Sequence, residues 1–417
     1  MQLHKLGLTV ATAATGALLA TSAWGAEPIK IGFIDPLSGP FSVVGENGLR
    51  EWQYAADEFV NSKGGLLGGR MIEVVGFDNK ISPKESLIQL KNVIGQGINF
   101  IAQGNSSSVA NALTDAVRKH NSRNPDKRVM FMNYSAVDPA LTNKKCNFWH
   151  FRFDANADMK MNALTDVIAA KKSIDKIYII GQDYSFGKAV AAAAVKYLGE
   201  KRPDIKIVGN ELHPIGKVKD FAPYITKIKA AGAQAVITGN WGADMVNLAK
   251  AAGSAGLNVQ FYTYYAAGTG VTAAIGPSGK GRVRLVSEGH SNPTVTKVWD
   301  DYVGAYKAKY PKKDLSQPRI VYALRMFAAA VEAAGSADPF KVATALEGLE
   351  HRTLAGDKVV MRKDDHQALM PIQISVHTDQ GIKWDFDNSG FGLYTESSVS
   401  LEKAAIGHSC KMKRPKS

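Results

Sequence analysis

Between Ile29 and Tyr264, short apolar stretches alternate with longer amphipathic ones, and this alternation restricts the chain to few folds. A short apolar run without a polar face needs burial on both sides, which a strand finds in a parallel sheet covered by helices. The pattern predicts strand 29–34, helix 48–61, strand 71–77, helix 83–94, strand 99–102, helix 109–120 and strand 129–133. After Arg152 the rhythm restarts with helix 158–170, strand 176–180, helix 186–199, strand 205–211, helix 221–231, strand 235–238, helix 243–252 and strand 259–264. Two such series imply an α/β protein with two doubly wound lobes and parallel-type sheets. Three helices follow, at 295–309, 320–334 and 339–349, and then a β-hairpin with strands at 371–377 and 382–386.

A chain of 417 residues has room for two domains, each with its own core. The apolar fraction of 45% excludes a disordered or collagenous chain, and two cysteines cannot staple a disulfide scaffold. The net charge of +13 falls to +8 when Lys5 and the terminal Lys411, Lys413, Arg414 and Lys416 are set aside. That excess fits solubility or the steering of an anion. Lys217 to Phe221 is too short and mixed a basic patch to indicate nucleic acid.

The first residues read as a secretory signal: Lys5, an alanine-rich apolar run from Leu6 to Ala20, and small residues around Ala23-Trp24-Gly25-Ala26. Cleavage after Gly25 keeps small residues at both recognition positions and makes Ala26 the first mature residue; cleavage after Ala26 is the other choice. The apolar run is shorter than the ~20 residues a bilayer span needs, so no membrane-spanning segment is expected. The expected location is therefore an oxidising, extracytoplasmic space. There, Cys146 and Cys410 either form a disulfide or remain two buried thiols.

Signatures of enzymes are missing. The sequence holds no G-x-S-x-G elbow, no H-E-x-x-H helix and no Walker loop. Gly268 to Ala273 fits the loose dinucleotide pattern but lies late in the second series, without an acidic residue at the expected distance. The histidines are scattered and two distant cysteines build no zinc site, so no metal, cofactor or catalytic residue is expected.

Open α/β sheets hold ligands at the carboxyl ends of their strands, and there this chain is polar and aromatic. Gln103-Gly104-Asn105-Ser106-Ser107-Ser108 precedes the helix at Val109, placing hydroxyls and free N–H groups where an anion can sit, although one serine also serves as a cap. The loop Asn133 to Pro139 points the same way. In the second lobe the strand ends carry Gln182 to Gly187, Asn240-Trp241-Gly242 and Tyr262 to Tyr265. Trp241 is expected in the site, whereas Phe186 and Tyr264 suit lobe packing equally well.

Several segments resemble the leucine/isoleucine/valine-binding protein family, the type I periplasmic solute-binding components of ABC uptake systems: Ile29 to Pro40, Gly64 to Arg70, Pro139 to Thr142, Phe151-Arg152, Tyr184 to Gly187 and Asp220-Phe221. The resemblance, which spans about Glu27 to Gly381, implies two lobes that close on a hinge of three crossovers, near 153–157, 286–290 and 354–360. The expected division is a signal at 1–25, one lobe at 26–153 plus 288–355, a second at 154–287 plus 356–400, and a basic tail at 401–417. It further implies a monomeric periplasmic receptor, not an enzyme, that delivers a small carboxylate or amino acid to membrane permease subunits.

The family's binding site carries over in part. Ser106 or Ser107 matches the serine that bonds a ligand carboxylate, Ser135 the following carbonyl, and Trp241 the aromatic of the second lobe, with Tyr184 beside it. Val137 stands where a threonine is usual, and Tyr265 stands where an acid would meet the ligand ammonium. An α-amino acid would need Asp183 or Asp138 as a substitute partner, since a buried ammonium without a carboxylate is costly. The alternative is an aromatic or other organic acid that lacks the amino group. A ligand-sensing subunit of a membrane receptor would present the same pocket.

Overall fold

The computed structural model describes residues 26–292 and 295–416, so the signal-like segment lies outside the described residues. The chain begins β1 (Ile29–Asp35), α1 (Ser42–Phe59), β2 (Ile72–Asp78), α2 (Pro83–Gly95), β3 (Phe100–Gln103), α3 (Ser107–Arg123), β4 (Met130–Asn133) and β5 (His150–Arg152). These strands form a parallel sheet in the order β2-β1-β3-β4-β5. In β1 only Lys30 escapes burial, as a strand covered on both faces requires. Helix starts follow local chemistry: before α2, Ser82 accepts the Glu85 N–H and Pro83 occupies the first turn.

The second series is α4 (Ala157–Ala170), β6 (Lys176–Gln182), α5 (Ser185–Lys201), β7 (Lys206–His213), α6 (Ala222–Ala230), β8 (Ala235–Thr238), α7 (Gly242–Ser254), β9 (Gln260–Thr263), α8 (Val271–Ile275) and β10 (Val283–Ser287). The chain then returns to the first lobe with α9 (Lys297–Lys309), α10 (Arg319–Ala334) and α11 (Pro339–Leu346), where aromatic residues of α9 pack on Tyr54 of α1. A small antiparallel sheet of β11 (Glu350–Arg352), β12 (Lys358–Met361) and β13 (Ala368–Leu369) follows, bridged to β5 through Arg152 and Gln367. Finally β14 (Ile372–Thr378) and β15 (Gly392–Val399) complete the second sheet, and α12 (Leu401–Ala404) packs against α4. The second sheet runs β7-β6-β8-β9-β10-β14-β15, parallel through β10 and antiparallel beyond it.

Both sheets reverse strand order at one point, beside β1 and β3 in the first lobe and beside β6 and β8 in the second, where ligand crevices form in open α/β sheets. Each lobe also brings a helix start tightly onto its first strand. A Cβ on Gly45 would lie 1.8 Å from the Pro36 carbonyl oxygen, and one on Gly187 would lie 1.8 Å from that of Gln182.

Two expectations change. Residues 382–386 are not a hairpin strand, because Asn292 captures the Lys383 and Trp384 N–H groups and Trp384 donates to Asp300 on α9. The partner of β14 is β15 instead. The third change of sheet falls at residues 370–371, between β13 and β14, whereas residues 354–360 form the turn and strand that follow β11. The basic tail is not free: Cys146 and Cys410 are joined by a disulfide, with Cα atoms 5.7 Å apart. Among the described residues no single helix is long and apolar enough to cross a membrane.

Candidate ligand-binding site

The serine loop after β3 is held from behind by a buried acid. Asp35, at the end of β1, accepts N–H bonds from Gly104 at 3.1 Å and Asn105 at 3.0 Å, together with the Tyr134 hydroxyl. Burial pushes the Asp35 carboxyl up to about 7, against these hydrogen bonds, which favour its charged form. Ser106 caps α3 with φ +79° and makes no side-chain bond to the helix, a strained setting for a residue with a Cβ. Ser107 Oγ accepts the Asp138 N–H at 3.2 Å. The loop before α10 is built in the same manner, with buried Glu51 accepting the N–H groups of Ser316 and Gln317, and burial lifts its carboxyl to about 7 as well.

From the second lobe, the Trp241 indole donates to the Tyr184 hydroxyl at 2.8 Å, and its ring lies 4.5 Å from Phe41 of the first lobe. Gly242, at φ +57°, keeps this approach open, since a Cβ there would stand 2.6 Å from the Phe41 ring. Phe186 packs edge-on against Tyr264 and Tyr265. Tyr265 crosses the cleft and donates to the Ser135 carbonyl at 3.2 Å.

Ser106, Ser107, Ser135, Tyr184, Trp241 and Tyr265 all line one cavity between the lobes, with about 790 Å³ of unfilled space, part of it open to solvent. Phe186 and Tyr264 line it too. Among the described residues, the lining contains no aspartate or glutamate. Asp183 pairs with exposed Lys188 at 3.0 Å, and Asp138 accepts from Asn111 and Ala140, so neither is brought to the cavity.

Sequence reasoning missed the hinge-side wall, where Ser287, His290, Gln317 and Arg319 face the cavity. Arg319 donates to Ser135 Oγ at 2.9 Å, to Gln317 at 3.0 Å and to Glu288 at 2.8 Å. Asp154 binds Lys160 at 2.7 Å and lies 3.6 Å from Arg319. These four charges are buried, sum to zero and come from both lobes and two crossovers. Burial opposes the charged form of Glu288, but Arg319 and Lys160 hold its carboxyl below the usual range. His290 is pushed down to about 3 by burial and is neutral at physiological pH. No motif announces Arg319; only its place before an apolar helix, at a chain reversal, marks it. Among the described residues no group of three or more His, Cys, Asp or Glu side chains is placed to hold a metal.

The family described as periplasmic binding protein matches residues 28–381. Leu/Ile/Val-binding protein homolog 4 of Brucella melitensis is 32% identical over 403 residues, covering 94% of each chain. Among solved structures, the leucine-, isoleucine-, valine-, threonine- and alanine-binding protein of Brucella ovis, in a closed conformation, matches with a TM-score of 0.81 and 30% identity over 94% of this chain and 100% of that one. A solute-binding protein from R. palustris in complex with benzoate shares the fold at a TM-score of 0.77 and 18% identity, over 92% of this chain and 99% of that one.

Proposed function

The chain belongs to the periplasmic binding protein family, and from that premise we propose that it is the substrate-binding protein of an ABC uptake transporter of the branched-chain amino acid type. It binds a small carboxylate-bearing solute between its lobes and delivers it, as a monomer in the periplasm, to the membrane permease subunits. The observation that carries this reading is the convergence of Ser106, Ser107 and Ser135 from one lobe with Tyr184, Trp241 and Tyr265 from the other on a single cavity. The serines and the start of α3 offer hydrogen bonds to a carboxylate. The aromatic residues cover an apolar body. Binding favours the closed form, and the closed form is the one a permease reads. The family is one of solute-binding proteins, which supports the reading of a receptor.

A second reading concerns the solute's other end. Among the described residues, the lining offers no carboxylate to an ammonium, and the Ser135 carbonyl already accepts the Tyr265 hydroxyl. This favours an organic acid without an α-amino group over an α-amino acid. Titration calorimetry on refolded, ligand-free protein separates the two: heat with benzoate-type acids and none with leucine supports the second reading, and micromolar leucine binding with no response to simple acids refutes it. Silence toward every carboxylate refutes the receptor reading itself.

A further inference from the structure

The chain crosses between the lobes once more after the third change of sheet. β15 is hydrogen-bonded into the second lobe, and α12 rests on α4 with Ala404 buried. From there the backbone passes within two residues to the small sheet beside β5, where Arg362 donates to the Ile406 carbonyl at 2.9 Å. Asn143 accepts the Ser409 N–H at 2.7 Å, and the disulfide fixes Cys410 to Cys146, which precedes β5. Farther along, Arg414 donates to the Lys363 carbonyl at 3.1 Å and pairs with Glu347, and Arg128 donates to the Lys416 carbonyl at 3.3 Å. All of these receiving groups belong to the first lobe or to the small sheet beside β5.

We propose that residues 405–410, fastened by the Cys146–Cys410 bridge, act as a fourth hinge strand that limits how far the lobes open. Six residue steps separate Ala404 from Cys410, and a fully extended chain spans about 3.5 Å per residue, so the two anchors part by no more than about 21 Å. The hydrogen bonds of Ile406 and Ser409 shorten the free length further. Cys146 lies only a few residues before the first crossover, and α4 begins directly after it. The strap therefore runs beside that crossover and resists the same motion. Its effect does not depend on which solute the cleft takes.

Hydrogen exchange on the ligand-free, full-length protein reads this restraint. The Phe153 amide, where the first crossover leaves β5, donates to the Asn133 carbonyl at 2.8 Å, and the Ala157 amide at the start of α4 donates across the hinge to the Val137 carbonyl at 2.9 Å. With the bridge opened, either in the Cys146→Ser, Cys410→Ser double variant or by reducing the folded protein with dithiothreitol, these amides should exchange about threefold faster or more. Small-angle scattering should show a larger radius of gyration in the same samples. Unchanged exchange at Phe153 and Ala157 with an unchanged radius, while amides of residues 406–412 lose protection, overturns the proposal. Reduction after folding keeps the test decisive if the double variant does not fold.

Discussion

Tyr265 of the second lobe donates its hydroxyl to the backbone carbonyl of Ser135 in the first lobe, 3.2 Å away, so one hydrogen bond spans the cleft. Removing it in Tyr265→Phe should leave the fold intact and raise the dissociation constant of the true solute about 2- to 12-fold, the worth of one ordinary hydrogen bond. Calorimetry measures the change; an unaltered constant would mean that the bond adds nothing to closure.

Ser106 separates function from strain. Ser106→Ala loses the hydroxyl but keeps the costly positive φ, so it should weaken carboxylate binding by about 1 to 3 kcal/mol without gaining stability. Ser106→Gly should weaken binding similarly and raise the melting temperature, because glycine adopts that φ at no steric cost. Equal binding by both variants and the parent would remove Ser106 from the site.

Trp241 is sandwiched between Phe41 of the other lobe and the Tyr184 hydroxyl. Its emission should shift when ligand closes the cleft, and Trp241→Phe should abolish that shift while Trp52, Trp149, Trp299 and Trp384 still fluoresce. A persisting shift would locate the reporter elsewhere.

The disulfide closes a loop between residues 264 apart in sequence. Its removal should lower stability by about 2 to 5 kcal/mol in denaturant titrations. No loss in the midpoint would show that the tail's remaining contacts suffice.

Stability should depend on pH through opposing groups. Burial lowers His351 to about 4, with nearby Arg325 acting in the same direction, and burial lowers His290 to about 3. The unfolded chain therefore binds protons that the folded one refuses: the stability from these groups is complete above about 6.5 and drains away as pH falls. Asp35 and Glu51, raised to about 7, act in the opposite sense, since the folded chain holds their protons longer and loses stability as pH rises from about 4 to about 7. Replacing His351→Gln should flatten the acid side of a melting-temperature profile; an unchanged profile would assign the acid loss to other groups.

The strand and helix series was legible because buried parallel strands such as Ile29–Asp35 have no polar face to confuse the period. The cleft loops were legible because helix starts at strand ends expose N–H groups, and hydroxyl or aromatic residues placed there stand out. The hinge-side wall was not. Arg319 acts through partners at Asp154 and Glu288, distant in sequence, and a single arginine before an apolar helix resembles any surface residue until the fold brings those carboxylates to it. The late hairpin failed for a related reason: the side chain of Asn292, far upstream, takes the N–H groups of Lys383 and Trp384 that a strand would have needed.

The small sheet of β11 to β13 sits beside β5, while β14 and β15 close the other lobe's sheet, so neither lobe is one continuous length of polypeptide. A protease that nicks a single crossover consequently frees nothing. The fragments stay joined, because α9 to α11 pack on the first lobe although they follow the second lobe's strands, and the receptor should survive one cut as a paired complex where a protein of two successive domains would fall into halves.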